Sequence, residues 1–597
     1  MSSFNASASL ETLLTACKHH VQQRPVVAAA VLASVVGFLI TLRRVNRLRR
    51  PIPGIPYNPN AISYMLGDVP DCLGSPDPWT WWAMQGVKHN SPLTQVFMRP
   101  FQQPWVLVSD PWLATDLVTR RAKEFDRSEA TFELFDGVIP GHQLTLKTSD
   151  PHYKKNKELV RELMTPSFIN EVTAPQIYHS IEMLVDLWNR RIEMAKGRPF
   201  EAGPDIHHTA LDVILGASFG FGDDKSQIAK EIRLLAAKKS PSKSRDKKEE
   251  TNDESLFEFQ PVPLDEDVGS FTILIDSIGK AVATPSPRLF HFLYRNLSPT
   301  MRRATVSRDR LRNEEITKSL KRRNSPNPQR CALDQLLTRE DAIAKKDGRE
   351  PNYRSQTIMS ELLGYLGAGY ETTSSVLRWT MKYLVQNQEA QKKLRDSLHA
   401  MFPEARKQNR PPTLEEILKT NHHYVDAVIE ESLRCSMVLP LNMRQAVADT
   451  QILGIHIPKG TSIMVFGMGP GMTMPPLKLD DKKAQDDLEA FRGKVRTFDE
   501  NNMGEFLPER WLKTVKHEQG REETVFDANS GPAMAFGQGP RGCFGKRMAM
   551  LQIKVFLTLV FWSFELLPVG EKLSAMDQTL SLTRYPTNVY LKLRKTA

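Results

Sequence analysis

A mainly α-helical fold with a smaller β-rich part, carried on an N-terminal transmembrane helix, is what this sequence predicts. Three observations predict it. Between about residues 57 and 440 the chain carries apolar residues at helical spacing, as over 176–196 and 356–388. Strand-like alternation gathers after residue 440, in ADTQILGIHIPKGTSIMVF, where Pro458-Lys459-Gly460 is expected to turn between two alternating runs. Residues 25–42 (PVVAAAVLASVVGFLITL) hold no charge. Helices do not alternate with strands along the chain, which argues against a doubly wound α/β sheet.

From the N-terminus, the apolar run 25–42 would reach roughly 27 Å as a helix, enough to cross a bilayer core. Arg43, Arg44, Arg47, Arg49 and Arg50 follow at once, a stop-transfer flank rather than a cleavage site. The positive-inside rule then leaves 1–24 in the lumen and the body in the cytosol. The sequon at Asn5 would be open to glycosylation there. Residues 43–56, basic and proline-rich, are expected to form a stiff spacer, and 57–597 one globular unit. Within it, 238–256 reads as a charged surface loop and 470–500 as an insertion; no internal repeat is present.

Charge and cysteine usage exclude several classes. The net charge of +11 sits in short runs, 42–51, 238–248 and 321–324, which suit an anionic membrane or an acidic protein partner rather than nucleic acid. The five cysteines (Cys17, Cys72, Cys331, Cys435, Cys543) contain no CxxC pair, excluding a disulfide framework and a paired-cysteine zinc site. Cys17 with His19 and His20 does not complete a tetrahedral set.

One stretch carries chemistry. FGQGPRGCFG (536–545) places a lone cysteine among four glycines. A phosphate loop fails, because Gly545 is followed by Lys546-Arg547-Met548 and not by Lys-Ser/Thr. A cysteine nucleophile lacks a local signature for its base. A thiolate metal ligand is the third reading.

The stretch fills every fixed position of F-x-x-G-x-R-x-C-x-G and so resembles the cysteine loop of the cytochrome P450 family. The resemblance implies a cytochrome P450-like fold and heme b (iron protoporphyrin IX) with the Cys543 thiolate as axial ligand. Gly537 and its neighbouring glycines would let backbone pass close beneath a flat macrocycle, Arg541 would meet a propionate, Phe536 would shield the sulfur, and the following helix would point its positive end at it.

Other segments match in family order. Glycines 364, 367 and 369 interrupt an apolar helical pattern at roughly 1 kcal/mol each, which predicts a local opening or a close ligand approach. Ala368-Gly369-Tyr370-Glu371-Thr372 resembles the oxygen-activation motif, in which an acid and an alcohol supply protons, here Glu371 and Thr372. The spacing Glu431/Arg434 recurs at Glu124/Arg127, Glu158/Arg161, Glu489/Arg492 and Glu518/Arg521, so spacing alone carries no information. Its context, after YVDAVIE and upstream of FLPERW, resembles the family's structural ion network, with Arg510 as third member. Arg444 matches a propionate arginine, and Arg161 matches the arginine of W-x-x-x-R, where Lys157 replaces the tryptophan.

The resemblance further implies a monooxygenase that inserts one atom of O2 into a lipophilic small molecule of secondary metabolism, such as a terpenoid, steroid or polyketide. No flavin or dinucleotide motif is present, so NADPH-derived electrons would come through NADPH-cytochrome P450 reductase, with cytochrome b5 as a second donor, at the endoplasmic reticulum membrane. Lys546 and Arg547 would lie on the docking face. By family analogy 131–142, 362–368, 437–443 and 581–588 would line the substrate site. A heme-thiolate isomerase or dehydratase and a non-catalytic heme or ligand-binding membrane protein are the alternatives, and the intact Glu371-Thr372 pair argues against both.

Overall fold

The computed structural model describes residues 26, 29–30, 33–38, 40, 50–99, 102–237, 255–323, 330–492, 498–517 and 521–596. Of the expected span 25–42, the described positions are helical and exposed, among them Val26, Phe38 and Ile40. Its remaining positions, with Asn5, Cys17, His19, His20 and all of 1–24, lie outside the described residues, as does 238–254. Among the described residues no helix is long and apolar enough to cross a membrane.

Helices dominate, and their ends are written locally. Helix α1 (Pro151–Val160) starts with proline at its first position and an Asp150 carboxylate accepting from the His152 N–H at 2.8 Å. Helices α2 (Ala174–Ala195) and α3 (Gly203–Phe219) both end on left-handed residues, Lys196 and Gly220. Helix α4 (Glu266–Val282) precedes the long central helix α5 (Gln356–Gln386), which Ser355 caps through the Ile358 N–H. Helix α6 (His423–Ser436) and helix α7 (Lys546–Ser563) complete the core around α5. Trp188 of α2, fully buried, packs edge-on against Phe556 of α7 and beside Phe564. Truncating such a tryptophan to alanine costs about 3–5 kcal/mol.

The β-rich part is a five-stranded sheet of β1 (Leu93–Val96), β2 (Trp105–Val108), β3 (Phe125–Arg127), β4 (Leu441–Ala446) and β5 (Ser462–Phe466), in the order β1-β2-β5-β4-β3. Only β2 and β5 run parallel; β3 pairs antiparallel with β4 so that Arg127 faces Arg444 in register.

Two expectations are corrected. The turn in 448–466 falls at Leu453-Gly454, both at positive φ, and joins Thr450–Ile452 to Ile455–Ile457; Pro458-Lys459-Gly460 instead leads the chain into β5 in a different sheet. The proline-rich stretch is docked rather than a free spacer from Ile52 onward. Gln95 accepts from the Ile52 N–H at 2.8 Å and donates to the Ile52 and Ile55 carbonyls at 3.0 and 2.6 Å, and both isoleucines are buried. Within 470–500 the helix Lys482–Arg492 packs on the body, Arg492 bridging to buried Asp110 at 3.0 Å.

Candidate active site

The loop 536–545 leads into the first turn of α7, and its glycines fix how closely it lies on the body. Gly537 (φ +59°) and Gly539 (φ +68°) adopt left-handed backbone, and a Cβ on Gly539 would stand 2.0 Å from the Val118 carbonyl. The Cys543 N–H donates to the Phe536 carbonyl at 2.7 Å, closing the loop. Cys543 is exposed into a cavity of about 1170 Å³ that Phe536, Gly537, Arg541 and Lys546 also line. Its surroundings push the thiol pKa up by burial, opposed by the Gly545 and Lys546 N–H groups at the start of α7 and by the Lys546 charge.

A cluster of cations borders the same cavity. The Arg541 guanidinium stacks on the Tyr153 ring, 4.0 Å from its centroid, and donates to the Gln143 carbonyl at 3.1 Å and to the Leu146 carbonyl. Arg444 is buried directly behind Asn442, to which it donates, and Asn442 faces the cavity. Arg127 lines the cavity beside them. Arg127 Nε, Arg444 Nη2 and Arg541 Nε have no hydrogen-bond partner among the described residues, and Asp126 is engaged by the Thr148 amide and hydroxyl. Burial and the mutual repulsion of the guanidiniums hold Arg127 down at about 9 and Arg444 at about 10. Three guanidiniums with spare donors, a lone thiol in the floor and a glycine-paved loop fit a flat dianionic iron macrocycle. Arg127 was not expected from its surroundings in sequence; its one signal is the register with Arg444.

Arg161, in contrast, does not join this cluster. Helix α1 ends at Val160 and tightens into a 3₁₀ turn over Arg161–Met164, leaving the Arg161 side chain 64% exposed and paired with Glu162 at 3.1 Å. Lys157, one turn earlier, lines the cavity instead, with its ammonium 5.5 Å from the Tyr153 ring centroid.

Helix α5 roofs the cavity and runs unbroken through 364–372, so the expected opening is absent. Its glycines serve close packing. A Cβ on Gly364 would meet His142 Nε2 at 2.3 Å, on Gly367 Ile275 Cδ1 at 2.4 Å, and on Gly369 Ile214 Cδ1 at 2.5 Å. Gly364, Ala368 and Thr372 share the cavity face at helical spacing, and Thr372 Oγ1 donates to the Ala368 carbonyl at 2.8 Å. Glu371, the next residue round the helix, does not line the cavity: it is 7% exposed, with Oε1 3.1 Å from Thr583 Oγ1. Of the segments expected to line the site, 437–442, Gly364, Tyr365, Ala368 and His142 do so, while 581–588 do not.

The structural network lies where its sequence context placed it. Glu431, fully buried on α6, accepts from Arg434 through both oxygens at 2.8 Å, from Arg510 at 2.9 Å, from the Trp511 indole at 2.9 Å and from the Leu507 N–H at 2.7 Å. Arg434 also donates to the Met472, Met503 and Glu505 carbonyls, tying α6 to the stretch that precedes the cysteine loop. Among the described residues no group of three or more His, Cys, Asp or Glu could hold a metal ion.

Comparison with known proteins points the same way. A family model described as Cytochrome P450 matches residues 88–471 and 501–593. The chain is 33% identical over 572 residues to cytochrome P450 monooxygenase TRI13 of Fusarium sporotrichioides, covering 92% of this chain and 96% of that protein. It is 31% identical over 594 residues to cytochrome P450 monooxygenase xilC of Penicillium rubens, covering 98% of each. The crystal structure of the cytochrome P450DA heme domain superposes with a TM-score of 0.66 at 17% identity, over 92% of this chain and 99% of that one, and speaks to fold alone.

Proposed function

Because this chain belongs to the cytochrome P450 family and is an oxidoreductase, a monooxygenase, we propose that it oxidises a lipophilic small molecule in secondary metabolite biosynthesis. The observation that carries the reading is Cys543, an open thiol in the floor of a large cavity whose rim holds guanidiniums with spare donors. Cys543 would hold the iron, and Arg127, Arg444 and Arg541 the propionates. Bound there, heme supplies the redox chemistry that activates O2 with electrons from a reductase.

The residues of this chain do the rest. Against the burial that raises the thiol pKa, the N–H groups of Gly545 and Lys546 and the start of α7 pull toward the thiolate. Phe536 keeps water from the sulfur. Gly364 and Ala368, with 437–441 across the cavity, give the substrate an apolar face with few groups to pair, which suits a terpenoid, steroid or polyketide skeleton. Thr372 offers a hydroxyl on that face to position and pass a proton, and Glu371 behind it stores one.

For the rest of the chain, we read 25–42 as a single span of the endoplasmic reticulum membrane with the body in the cytosol. The uncharged run, the arginines after it, and the exposed apolar helical positions such as Phe38 and Ile40 support this. Exposed Lys546 and Arg547, beside the cysteine loop, suit an acidic face of NADPH-cytochrome P450 reductase or cytochrome b5. The test is the carbon monoxide difference spectrum of the reduced full-length protein. A thiolate-type Soret band that disappears in Cys543→Ala is expected; its absence in the wild type, or its persistence in the variant, overturns the reading.

A further inference from the structure

Behind helix α5, away from the cavity, a carboxyl and two hydroxyls form a chain whose hydrogens can be counted. Ser375 Oγ donates to the Glu371 main-chain carbonyl at 2.8 Å, a group that can only accept. Ser375 Oγ also lies 3.1 Å from Thr583 Oγ1, so with the serine hydrogen committed this second bond must use the threonine hydrogen. Thr583 Oγ1 lies 3.1 Å from Glu371 Oε1 as well, and its single hydrogen is already in use. All three bonds exist together only if Glu371 Oε1 carries a proton. We propose that Glu371 rests as a neutral carboxylic acid donating to Thr583, and that Thr583 is a positioning residue for this stored proton.

The surroundings agree with the count. Glu431, buried like Glu371, is kept ionised by five N–H donors, as burying a charge requires. Among the described residues no amide, lysine or arginine donates to the Glu371 carboxyl. Asp276 of α4 faces it with a second carboxyl, Tyr585 of the hairpin and Tyr370 of α5 add no positive charge, and His207 of α3, edge-on to Tyr370 at 5.2 Å, is held neutral by its burial. Among the described residues Arg378 is the one cation acting on it. Burial first and Asp276 second push the Glu371 pKa up; the smaller opposing pulls are Arg378 and, in the ionised arrangement where its hydrogen turns to the carboxylate, Thr583.

Thr583 itself has little freedom. It is fully buried in the turn between Gln578–Leu580 and Arg584–Pro586. That turn is pressed on α4, where a Cβ on Gly279 would meet Ser581 Oγ at 2.5 Å and the Leu582 nitrogen at 3.0 Å. Arg584 clamps its other side by donating to the Ser436 carbonyl at the end of α6. Ionising Glu371 in place would force Ser375 to turn its hydrogen from the carbonyl to Thr583; Ser374, which also donates to that carbonyl at 3.0 Å, would be left to serve it. When Glu371 gives up its proton to a water, the O–H bond at Oε1 breaks, the water becomes hydronium and the carboxylate remains, and a proton from solvent must return to it before the chain closes again.

Only the use made of the proton rests on the proposed monooxygenase reading; its storage does not. The test is infrared difference spectroscopy of the full-length, heme-loaded protein with isotopically labelled glutamate. At neutral pH the wild type is expected to show the C=O stretch of a protonated carboxyl that Glu371→Gln lacks. Thr583→Val should move that band to higher frequency by removing its acceptor, and Thr583→Ser should restore it. Should Thr583→Val not fold, Ser375→Ala serves: it frees the threonine hydrogen for the carboxylate and should lower the pH at which the band titrates. No acid band at neutral pH, or a band indifferent to both Thr583→Val and Ser375→Ala, overturns the proposal. The band is independent of turnover, so a missing carbon monoxide signature would sink the monooxygenase reading without touching it.

Discussion

Arg127 and Arg444 are register partners on adjacent antiparallel strands, and each leaves a guanidinium nitrogen without a hydrogen-bond partner among the described residues. Two like charges side by side are costly in the free protein and productive only when an anion lies against them. A charge-assisted hydrogen bond is worth about 1.5–3 kcal/mol, so Arg127→Leu should weaken heme retention by roughly 10- to 100-fold. The same change should raise the melting temperature of the heme-free protein by relieving the repulsion. Heme transfer to an apomyoglobin scavenger and thermal melting of the two forms check both halves; a variant that holds heme as tightly as the wild type removes Arg127 from the site.

Glu431 serves two arginines, an indole and an amide, and deleting its charge leaves Arg434 and Arg510 buried and uncompensated. Breaking a buried pair from one side costs about 3–5 kcal/mol. Glu431→Gln should therefore lose folded, heme-loaded protein rather than turnover per heme. Arg434→Lys should fail too, since an ammonium cannot reproduce the fork that meets both Glu431 oxygens. Denaturant midpoints, set beside activity normalised to heme content, separate folding from chemistry.

What the sequence revealed follows the range of the physics. The cysteine loop was legible because its constraints are local: left-handed glycines, a cysteine and the start of α7 within ten residues. Glu431–Arg434 was legible only through context, because the three-residue spacing recurs wherever helices carry charges. Arg127 was illegible because its role depends on a strand register with a residue far downstream. Arg161 was misread because family spacing does not report that α1 ends at Val160. The resemblance assigns Glu371 and Thr372 one proton-delivery task but not their orientation: about 100° apart on the helix, Thr372 faces the cavity while Glu371 turns to Thr583. The turn at Leu453-Gly454 was missed because proline and glycine downstream were the louder signal.

Gly539 and Gly141 make a matched comparison, since both are left-handed, at φ +68° and +70°. A Cβ on Gly141 meets nothing within 4 Å, whereas one on Gly539 meets the Val118 carbonyl at 2.0 Å. Gly141→Ala should cost about 1–2 kcal/mol, the backbone penalty alone, and keep the thiolate spectrum. Gly539→Ala must also push the cysteine loop off Val118, so a larger loss of stability with a diminished thiolate Soret band is expected. Equal effects of the two substitutions would show that the loop yields at no cost.

His142 and Glu361 give the protein a pH profile that can be worked out group by group. Glu361 accepts from the Gln143 amide at 2.8 Å, from its side chain at 2.9 Å and from Asn156 at 2.9 Å, and lies 3.3 Å from His142 Nε2, yet burial outweighs these and raises its pKa from 4.5 to about 7. His142 Nδ1 accepts from the Leu144 N–H at 3.0 Å, and burial with Arg127 nearby lowers its pKa from 6.5 to about 3. A raised folded pKa gives stability that is full below 4.5 and is lost as pH climbs through about 7; a lowered one gives stability that is full above 6.5 and is lost as pH falls toward about 3. Between 4.5 and 6.5 the unfolded chain moves one proton from the glutamate to the histidine, so the net uptake is zero and the pair's contribution is flat. Stability should therefore hold across that interval and decline on both sides. Glu361→Gln should abolish the alkaline decline, which spans only 6.5 to about 7 and so amounts to under about 1 kcal/mol, and, with the glutamate's opposing slope gone, should extend the acid decline upward to 6.5. Denaturant midpoints against pH for the two proteins decide it, and an alkaline decline that survives in the variant assigns it to another group.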